Sequence, residues 1–501
     1  MTAFQRPGVY VQETLNPVQP VVGPNSDSVA AFVGTSDKGQ LGSPVLVSSW
    51  SQFAKAFGPW NTYTNNDLPL AVYLFFANGG SQCYVVRVAN APAGAHREFS
   101  DRATSPSATL QLYASSEGRW GNDINISVKD SVVSGAFDLI VYYKGITDSN
   151  VVERFTDLTM TVGDSRYAID VINATSAYVY ATDLNSGNTG ATRNPAVVSN
   201  QALASGTVGG LVGSADISIG LTSLDFVHQS LVLNVAGYTD ATVVNTAIDY
   251  AESRDDVFVV IDGGDLTVQN QLNLAETYSP SSVAAVYYPR ITIADPTLPI
   301  GSGSGRTKFV GAGGAVVGLY AATDALRGVF KAPAGLQSRV AGAVSVPQLT
   351  NSDLDSLNTA AAPVNAIKYV PGSGIVVMGA RTLKTGYVDK YVPVRRTLIY
   401  LRKALTDLTE FAIFEPNDEA LWRRLEATVN SFLTSFWSQG GLRGATADQA
   451  FFVKVDAENN PQYLIDNGEV HIEVGVALQR PAEFVVIRIG QFDGGTTVTV
   501  A

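Results

Sequence analysis

The stretch VNAIKYVPGSGIVVMGARTL (364–383), followed by VPVRRTLIYLRKAL (392–405) and FEPNDEALW (414–422), sets the reading of this chain. The first piece reads as a strand and the second as a basic helix. The third opens a long amphipathic helix from Asp418 to about Gln439. Asp418 and Glu419 suit the positive end of its dipole. Leu421, Leu425, Val429, Phe432, Leu433 and Phe436 form its apolar stripe, and Gly440 with Gly441 ends it. RPAEFVVIRIGQ (480–491) closes the run as a terminal strand, and no catalytic constellation lies among these elements.

Outward from this region the chain is long, 501 residues, enough for about three units. Hydrophobic residues make up 46% and charged residues 16%, a globular balance with a thin charged skin that suits a protein burying itself against its own copies. The net charge of −12 argues against a nucleic-acid partner, which selects a basic footprint. A single cysteine, Cys83, excludes an internal disulfide and a cysteine metal cluster, and His96, His228 and His471 lie far apart. Met1–Val11 has no apolar leader core, and the apolar runs Val257–Ile261 and Val283–Tyr288 are too short to span a bilayer. Assembly in a bacterial cytoplasm, without membrane insertion, is the expectation.

The first 23 residues read as an extended arm. PGVYVQE (7–13) alternates like a strand but is cut off by Pro17, Pro20 and Pro24, so its partner must be distant. Residues 29–90 combine a strand, two helices and a second strand, with stops at Gly58 and Gly79-Gly80. From Ala91 to Gly220 short alternating segments separated by Gly, Ser, Asn and Asp predict antiparallel β structure, with a surface loop over Leu184–Gly213. Leu221–Pro289 turns to βα units and hence a parallel sheet, with Asp240 capping a helix that buries Val243, Val244, Ala247, Ile248 and Ala251.

Catalytic readings fail on spacing. GSGSGRT (301–307) lacks the lysine and glycine spacing of a phosphate loop, and no G-x-G-x-x-G follows Val235 or Ile261. The acids Asp255, Asp256, Asp262 and Asp265 read as solvated loop charges without calcium-loop spacing, and His471 as an exposed strand residue. One charged feature survives. Arg381, Lys384, Lys390, Arg395, Arg396, Arg402 and Lys403 face a single acid, Asp389, between them. On a helix Arg395 aligns with Arg402 and Arg396 with Lys403, giving either a solvated basic face or a dock for an acidic partner.

These C-terminal pieces resemble the C-terminal region of contractile tail sheath proteins, the outer sleeve of phage tails and of related bacterial injection machines. VAAFVGTSDKG (29–39), the FFANGG helix end (75–80), CYVVRV (83–88), SEGRWGNDI (116–124), YAIDVINATSAYV (167–179) and GAVVGLYAATDALRGVFKAPAG (314–335) resemble the same family. The resemblance implies an α+β multidomain fold. Residues 24–90 plus 362–484 would form a discontinuous, conserved α/β inner domain, 91–220 a β-rich outer insert and 221–361 an α/β middle domain with a βαβ unit. Residues 1–23 would be an N-terminal arm and 485–501 a C-terminal one. It also implies a structural, non-enzymatic subunit without cofactor or metal. Such a subunit polymerises as stacked rings around an inner tube and contracts, with baseplate and terminator or cap proteins as further partners. Subunits would exchange strands through Gly8, Val9, Tyr10, Val11, Gln12 and Glu13, and through Phe484, Val485, Val486, Ile487, Arg488 and Ile489. Arg395, Arg396, Arg402 and Lys403 would touch the tube. A non-contractile tube or shell protein, and an α/β enzyme with a β insert, are the alternatives.

Overall fold

Strands with no polar residue to spare for solvent build the centre of this molecule. The computed structural model describes residues 28–63, 67–298, 306–386 and 390–483. Every residue of Val29–Gly34, Leu231–Val235, Val257–Asp262 and Ala284–Tyr288 is buried. Strands covered on both faces read as continuous apolar runs, the signature of a parallel sheet. These four join Cys83–Arg87 and Val364–Val370 in parallel, and Val45–Val47 and Gly374–Val377 add antiparallel edges, making an eight-stranded sheet. In register, Val29 stands opposite Leu231, Leu231 opposite Val257, Val259 opposite Ala284 and Val286 opposite Val364.

Helices cover both faces. Phe32 meets Phe75 of helix Leu68–Ala77 with ring centroids 5.4 Å apart. Its neighbour Val33 points the other way, where helix Ser214–Ser223 comes so close that a Cβ on Gly220 would sit 3.1 Å from the valine Cγ1. Helix Gly313–Arg327 packs beside Leu68–Ala77, and Ala241–Arg254 beside Ser214–Ser223. Local sequence sets their ends. Ser49 accepts from the Gln52 amide at the start of Trp50–Phe57, Asp240 accepts from Thr242, and Gly79, at φ 96°, takes the chain out after Leu68–Ala77.

The strands do not divide along the expected boundaries. Segments 24–90, 221–361 and the start of 362–484 contribute to one sheet and one core running from Ala30 to Ile399. The remainder, from Val392 onward, forms a smaller C-terminal unit. There the helices Val392–Thr409 and Glu419–Ser438 and a hairpin share the core of Val329, Tyr400, Leu401, Val429, Leu433, Phe436, Leu442 and Ala450. Parallel pairing joins strands far apart in sequence, so strand texture alone does not reveal which ones meet.

The insert is β-rich as read, with a core of its own. One sheet orders Val198–Ala202, Ile124–Asp130, Phe137–Tyr143 and Val151–Leu158, and the other His96–Ser100, Ala108–Ala114 and Val179–Asp183. It ends earlier than Gly220, because Ile217 and Leu221 of helix Ser214–Ser223 belong to the main core. Its entry and exit close on each other, the Gly210 amide donating to the Asn90 carbonyl at 2.8 Å. Main-body side chains hold it in place. Lys38 Nζ lies 5.6 and 5.3 Å over the Trp120 and Tyr178 rings, Arg87 donates to the Glu117 carbonyl at 2.8 Å, and Tyr63 to Asp123 at 2.7 Å.

Leu184–Gly213 is not a free loop. It supplies the edge strand Val198–Ala202 and the largely buried Arg193, whose guanidinium reaches Asp183 at 2.6 Å and the Met160 carbonyl at 3.0 Å. Deleting residues 184–206 is therefore expected to unfold the insert rather than shorten a loop. Limited proteolysis would show rapid cleavage within 91–213 and survival of the main body. An insert as resistant as the parent's would refute this.

Candidate assembly surfaces

The basic helix Val392–Thr409 does not present its cations on one surface. Arg395 and Arg396 fall on the side that packs against the main body and are 8% and 3% exposed. The Arg396 guanidinium forks onto Asp324 of helix Gly313–Arg327, at 2.9 Å to Oδ1 and 2.5 Å to Oδ2. It also lies 4.7 Å over the Tyr320 ring, and the Tyr320 hydroxyl meets that of Tyr287 at 2.6 Å. Burial pushes the Tyr320 hydroxyl well above its ordinary range, aided by its tyrosine neighbour, so it stays neutral. Two charges taken out of water cost several kcal/mol each, and only the fork and the ring offset that. Arg402 pairs with Asp255 at 2.7 Å and Lys403 with Asp407 at 2.6 Å, both nearer the surface. The single basic face expected from helical period is thus corrected. Two of its four members are internal, because the partner body supplies a carboxylate that a helical wheel does not display.

The carboxylates also differ from their first reading. Asp262 is buried, not a solvated loop charge. It accepts from the Gly313 amide at 2.6 Å, the Gly237 amide at 3.2 Å and Asn234 Nδ2 at 3.2 Å. Gly313 is needed there, since a Cβ would lie 2.4 Å from Asn234 Nδ2. The parallel strands change direction of addition between Val29–Gly34 and Leu231–Val235, the place where open α/β sheets bind ligands. Here the helix N-terminus next to that point already holds the chain's own anion, and Arg290 closes on Asp67 at 2.5 Å. Asp265 is exposed. Among the described residues no group of three or more His, Cys, Asp or Glu is placed to hold a metal, and no helix is long and apolar enough to cross a membrane.

Two features bear on association between chains. The hairpin Phe451–Lys454 and Glu473–Val476 is a sheet of only two strands among the described residues, all four residues of the first strand half-exposed. Two strands alone are marginal in water, and their outer edges offer unpaired backbone groups. His471 is exposed but lies in the connection between these two strands, two residues before the second, not in a strand, 3.1 Å from Glu469. The second feature is the base of the C-terminal segment. Arg381 forks onto Glu483 at 2.8 and 2.6 Å, donates to the Asn358 carbonyl at 2.6 Å, and Tyr391 adds a 3.2 Å bond to the same carboxylate. The segment's departure point is fixed by charge-assisted bonds. The strand-exchange residues Gly8–Glu13 and Phe484–Ile489 lie outside the described residues.

Comparison with known proteins adds to this geometry. The family profile described as phage tail sheath C-terminal domain matches residues 390–492, and that described as DUF2586, N-terminal domain, matches residues 7–299. The tail sheath protein of Vibrio phage KVP40 is 26% identical over 186 residues, covering 36% of this chain and 26% of that protein. The matched stretch thus spans about a quarter of that relative. The fold resembles the contracted sheath of the PVC extracellular contractile injection system (22% identity, TM-score 0.58, 98% of this chain and 99% of that one). It also resembles the contracted helical sheath of the anti-feeding prophage (20%, 0.58, 98% and 100%) and the sheath tail protein of Listeria innocua (14%, 0.62, 91% and 96%).

Two outcomes follow from the site geometry. Asp324→Ala leaves Arg396 charged and buried and should cost about 3–5 kcal/mol in chemical denaturation, while Asp324→Leu with Arg396→Met should recover most of it. A loss under 1 kcal/mol for Asp324→Ala alone would contradict a buried pair. At Glu483, burial raises the carboxyl's pKa, but Arg381 and Tyr391 outweigh it and the net shift is downward. Its contribution is present above the unfolded value of about 4.3 and is lost as pH falls through the lower folded value. Cleavage by pepsin after Glu483 should therefore rise on acidification below pH of about 4 in the parent, and be fast at every acidic pH in Glu483→Gln. Identical profiles for the two proteins would count against the anchor.

Proposed function

Because the chain belongs to the contractile tail sheath family, through its DUF2586 N-terminal region as well as its sheath C-terminal domain, we propose that it is a mechanical sleeve subunit. Copies polymerise into a helical sheath around an inner tube, docked on a baseplate and closed by a terminator or cap protein. Contraction of the sheath drives the tube through a target envelope. The observation that carries this reading is the hairpin that stands as a two-stranded sheet among the described residues, together with the Arg381–Glu483 anchor at 2.6 Å.

Strand exchange is the mechanism that fits. Gly8–Glu13 of one neighbour and Phe484–Ile489 of another add to the edges of Phe451–Lys454 and Glu473–Val476. Each main-chain hydrogen bond contributes about 0.5–1.5 kcal/mol net, so four to six per junction give roughly 2–9 kcal/mol, repeated at every subunit. Proline-bearing linkers at Pro17, Pro20 and Pro24 let neighbours rotate while the junctions hold. Contact with the tube falls to Arg402 and Lys403, whose head groups lie nearer the surface. Arg395 and Arg396 brace the helix from below and are not proposed as contacts.

A non-contractile tube or shell is the rival reading, and electron microscopy separates the two. Purified protein is expected as long narrow and short wide sleeves, and a single invariant tube would favour the rival. Removing residues 1–14 should give folded subunits with unchanged helical circular dichroism that sediment as small species. Ordered sleeves from the truncated chain would eliminate the N-terminal arm as the linking strand.

A further inference from the structure

A bulky residue in left-handed backbone is rare and costly, and it persists only where its surroundings enforce it. Phe414 has φ 66° and is 88% exposed. It sits at the tip of the turn between helices Val392–Thr409 and Glu419–Ser438, a segment the mechanical reading above leaves without a task. The turn is rigid. Asn417 accepts from Trp422 Nε1 at 2.9 Å and donates to the Glu469 carbonyl at 3.0 Å, and Asp418 caps the next helix. The neighbouring Phe411 is already covered by Arg424, 4.2 Å over its ring. Phe414 has no such cover, and exposed Glu410 and Glu415 flank it. A ring presented to water from a backbone held in one conformation lowers the ordering cost of docking it.

The complementary surface is at the other end of the same unit. A crevice of about 320 Å3 opens between the C-terminal ends of helices Gly313–Arg327 and Glu419–Ser438, floored by Val329, Phe330, Tyr400 and Phe436. Leu326 stands at its rim, 80% exposed, beside Arg327. The one carboxylate in its lining, Asp324, is neutralised from beneath by Arg396. The nearby Lys331 already donates its ammonium to the Ala332 carbonyl at 2.7 Å, so Arg327 is the cation of the lining. The crevice thus offers an apolar floor with one cation, Arg327, at its rim, and Phe414 offers an aromatic ring between two acids.

We propose that Phe414 of one copy seats in this crevice of a second copy, making a head-to-tail contact within the polymer. The contact rests on the sleeve reading and adds an interface that strand exchange does not supply. It cannot form within one chain. Glu419 and Phe436 are seventeen positions apart on one helix, which at 1.5 Å per residue separates anchor and crevice by roughly 25 Å. An anchor and a pocket at opposite ends of one unit make a heterologous contact, which propagates along a filament instead of closing a dimer.

Cross-linking tests this on the full chain, whose natural cysteine, Cys83, is buried. The variant carrying Phe414→Cys and Leu326→Cys, assembled and then oxidised, should give a ladder of covalent dimers, trimers and higher species. Neither single variant should, and an equimolar mixture of the two should stop at dimers. Phe414→Ala should raise the concentration needed for assembly about tenfold or more with unchanged circular dichroism. Normal sleeves without a ladder would overturn the contact and leave the sleeve reading intact, as would self-linking of Phe414→Cys alone, which signals a symmetric contact. Failure of the unmodified chain to polymerise at all would remove both.

Discussion

The fork between Arg396 and Asp324 is the joint on which the molecule's two bodies depend. Helix Val392–Thr409 carries the C-terminal unit, and helix Gly313–Arg327 lies on the sheet. Between them a guanidinium and a carboxylate have been removed from water together, roofed by Tyr320. Such a pair is poor at adding net stability, because desolvation consumes most of the Coulombic gain. It is good at enforcing one geometry, since any shift that separates the partners leaves a buried charge unmatched. An apolar interface could slide; this one has a single low-energy register. Under the mechanical role proposed above, a joint that resists slipping matters more than one that binds tightly.

The electrostatic pattern has the same logic throughout. The chain is acidic overall, yet several of its arginines are committed to internal partners: Arg87 to backbone carbonyls, Arg193 to Asp183, Arg290 to Asp67, Arg381 to Glu483. All but the Arg193 pair tie together elements distant in sequence. Internal ion pairs of this kind are neutral and leave the net charge of −12 unchanged, so copies of the chain repel at long range.

What was legible in the sequence was local. Asp240 is readable as a cap and Asp418 as an acid suited to its helix start, and the stripe Leu421, Leu425, Val429, Leu433, Phe436 as a buried face with Phe432 only half-buried beside it, because capping and helical period act within a few residues. The order of the parallel sheet was not, since its neighbours come from segments separated by up to the whole insert. Strand Val198–Ala202 was hidden by its polar composition, VSNQA, and helix Ser214–Ser223 by its Ser and Gly content; tertiary packing overrides weak propensity in both. Helix Asn351–Thr359 carries a local signal, the Thr350–Asp353 capping box, with a polar body that otherwise reads as loop. Of the candidate site, the family resemblance supplied the roles. The partners of Arg396 and Glu483 come from elsewhere in the fold, and no spacing rule reaches that far.

The closure of the insert on itself at Asn90 and Gly210 has an evolutionary side. A module whose two ends meet across one hydrogen bond places almost no length constraint on what lies between them. Apart from this bridge, the main body meets the insert through a few side chains, Lys38, Tyr63 and Arg87. Lineages can therefore lengthen, trim or swap the module without disturbing the eight strands beneath, so the outer surface can diverge under pressure from the environment while the sheet stays fixed. The same anatomy makes this chain a scaffold: a foreign domain with adjacent termini, grafted between residues 90 and 210, would ride on every copy of a repeating assembly.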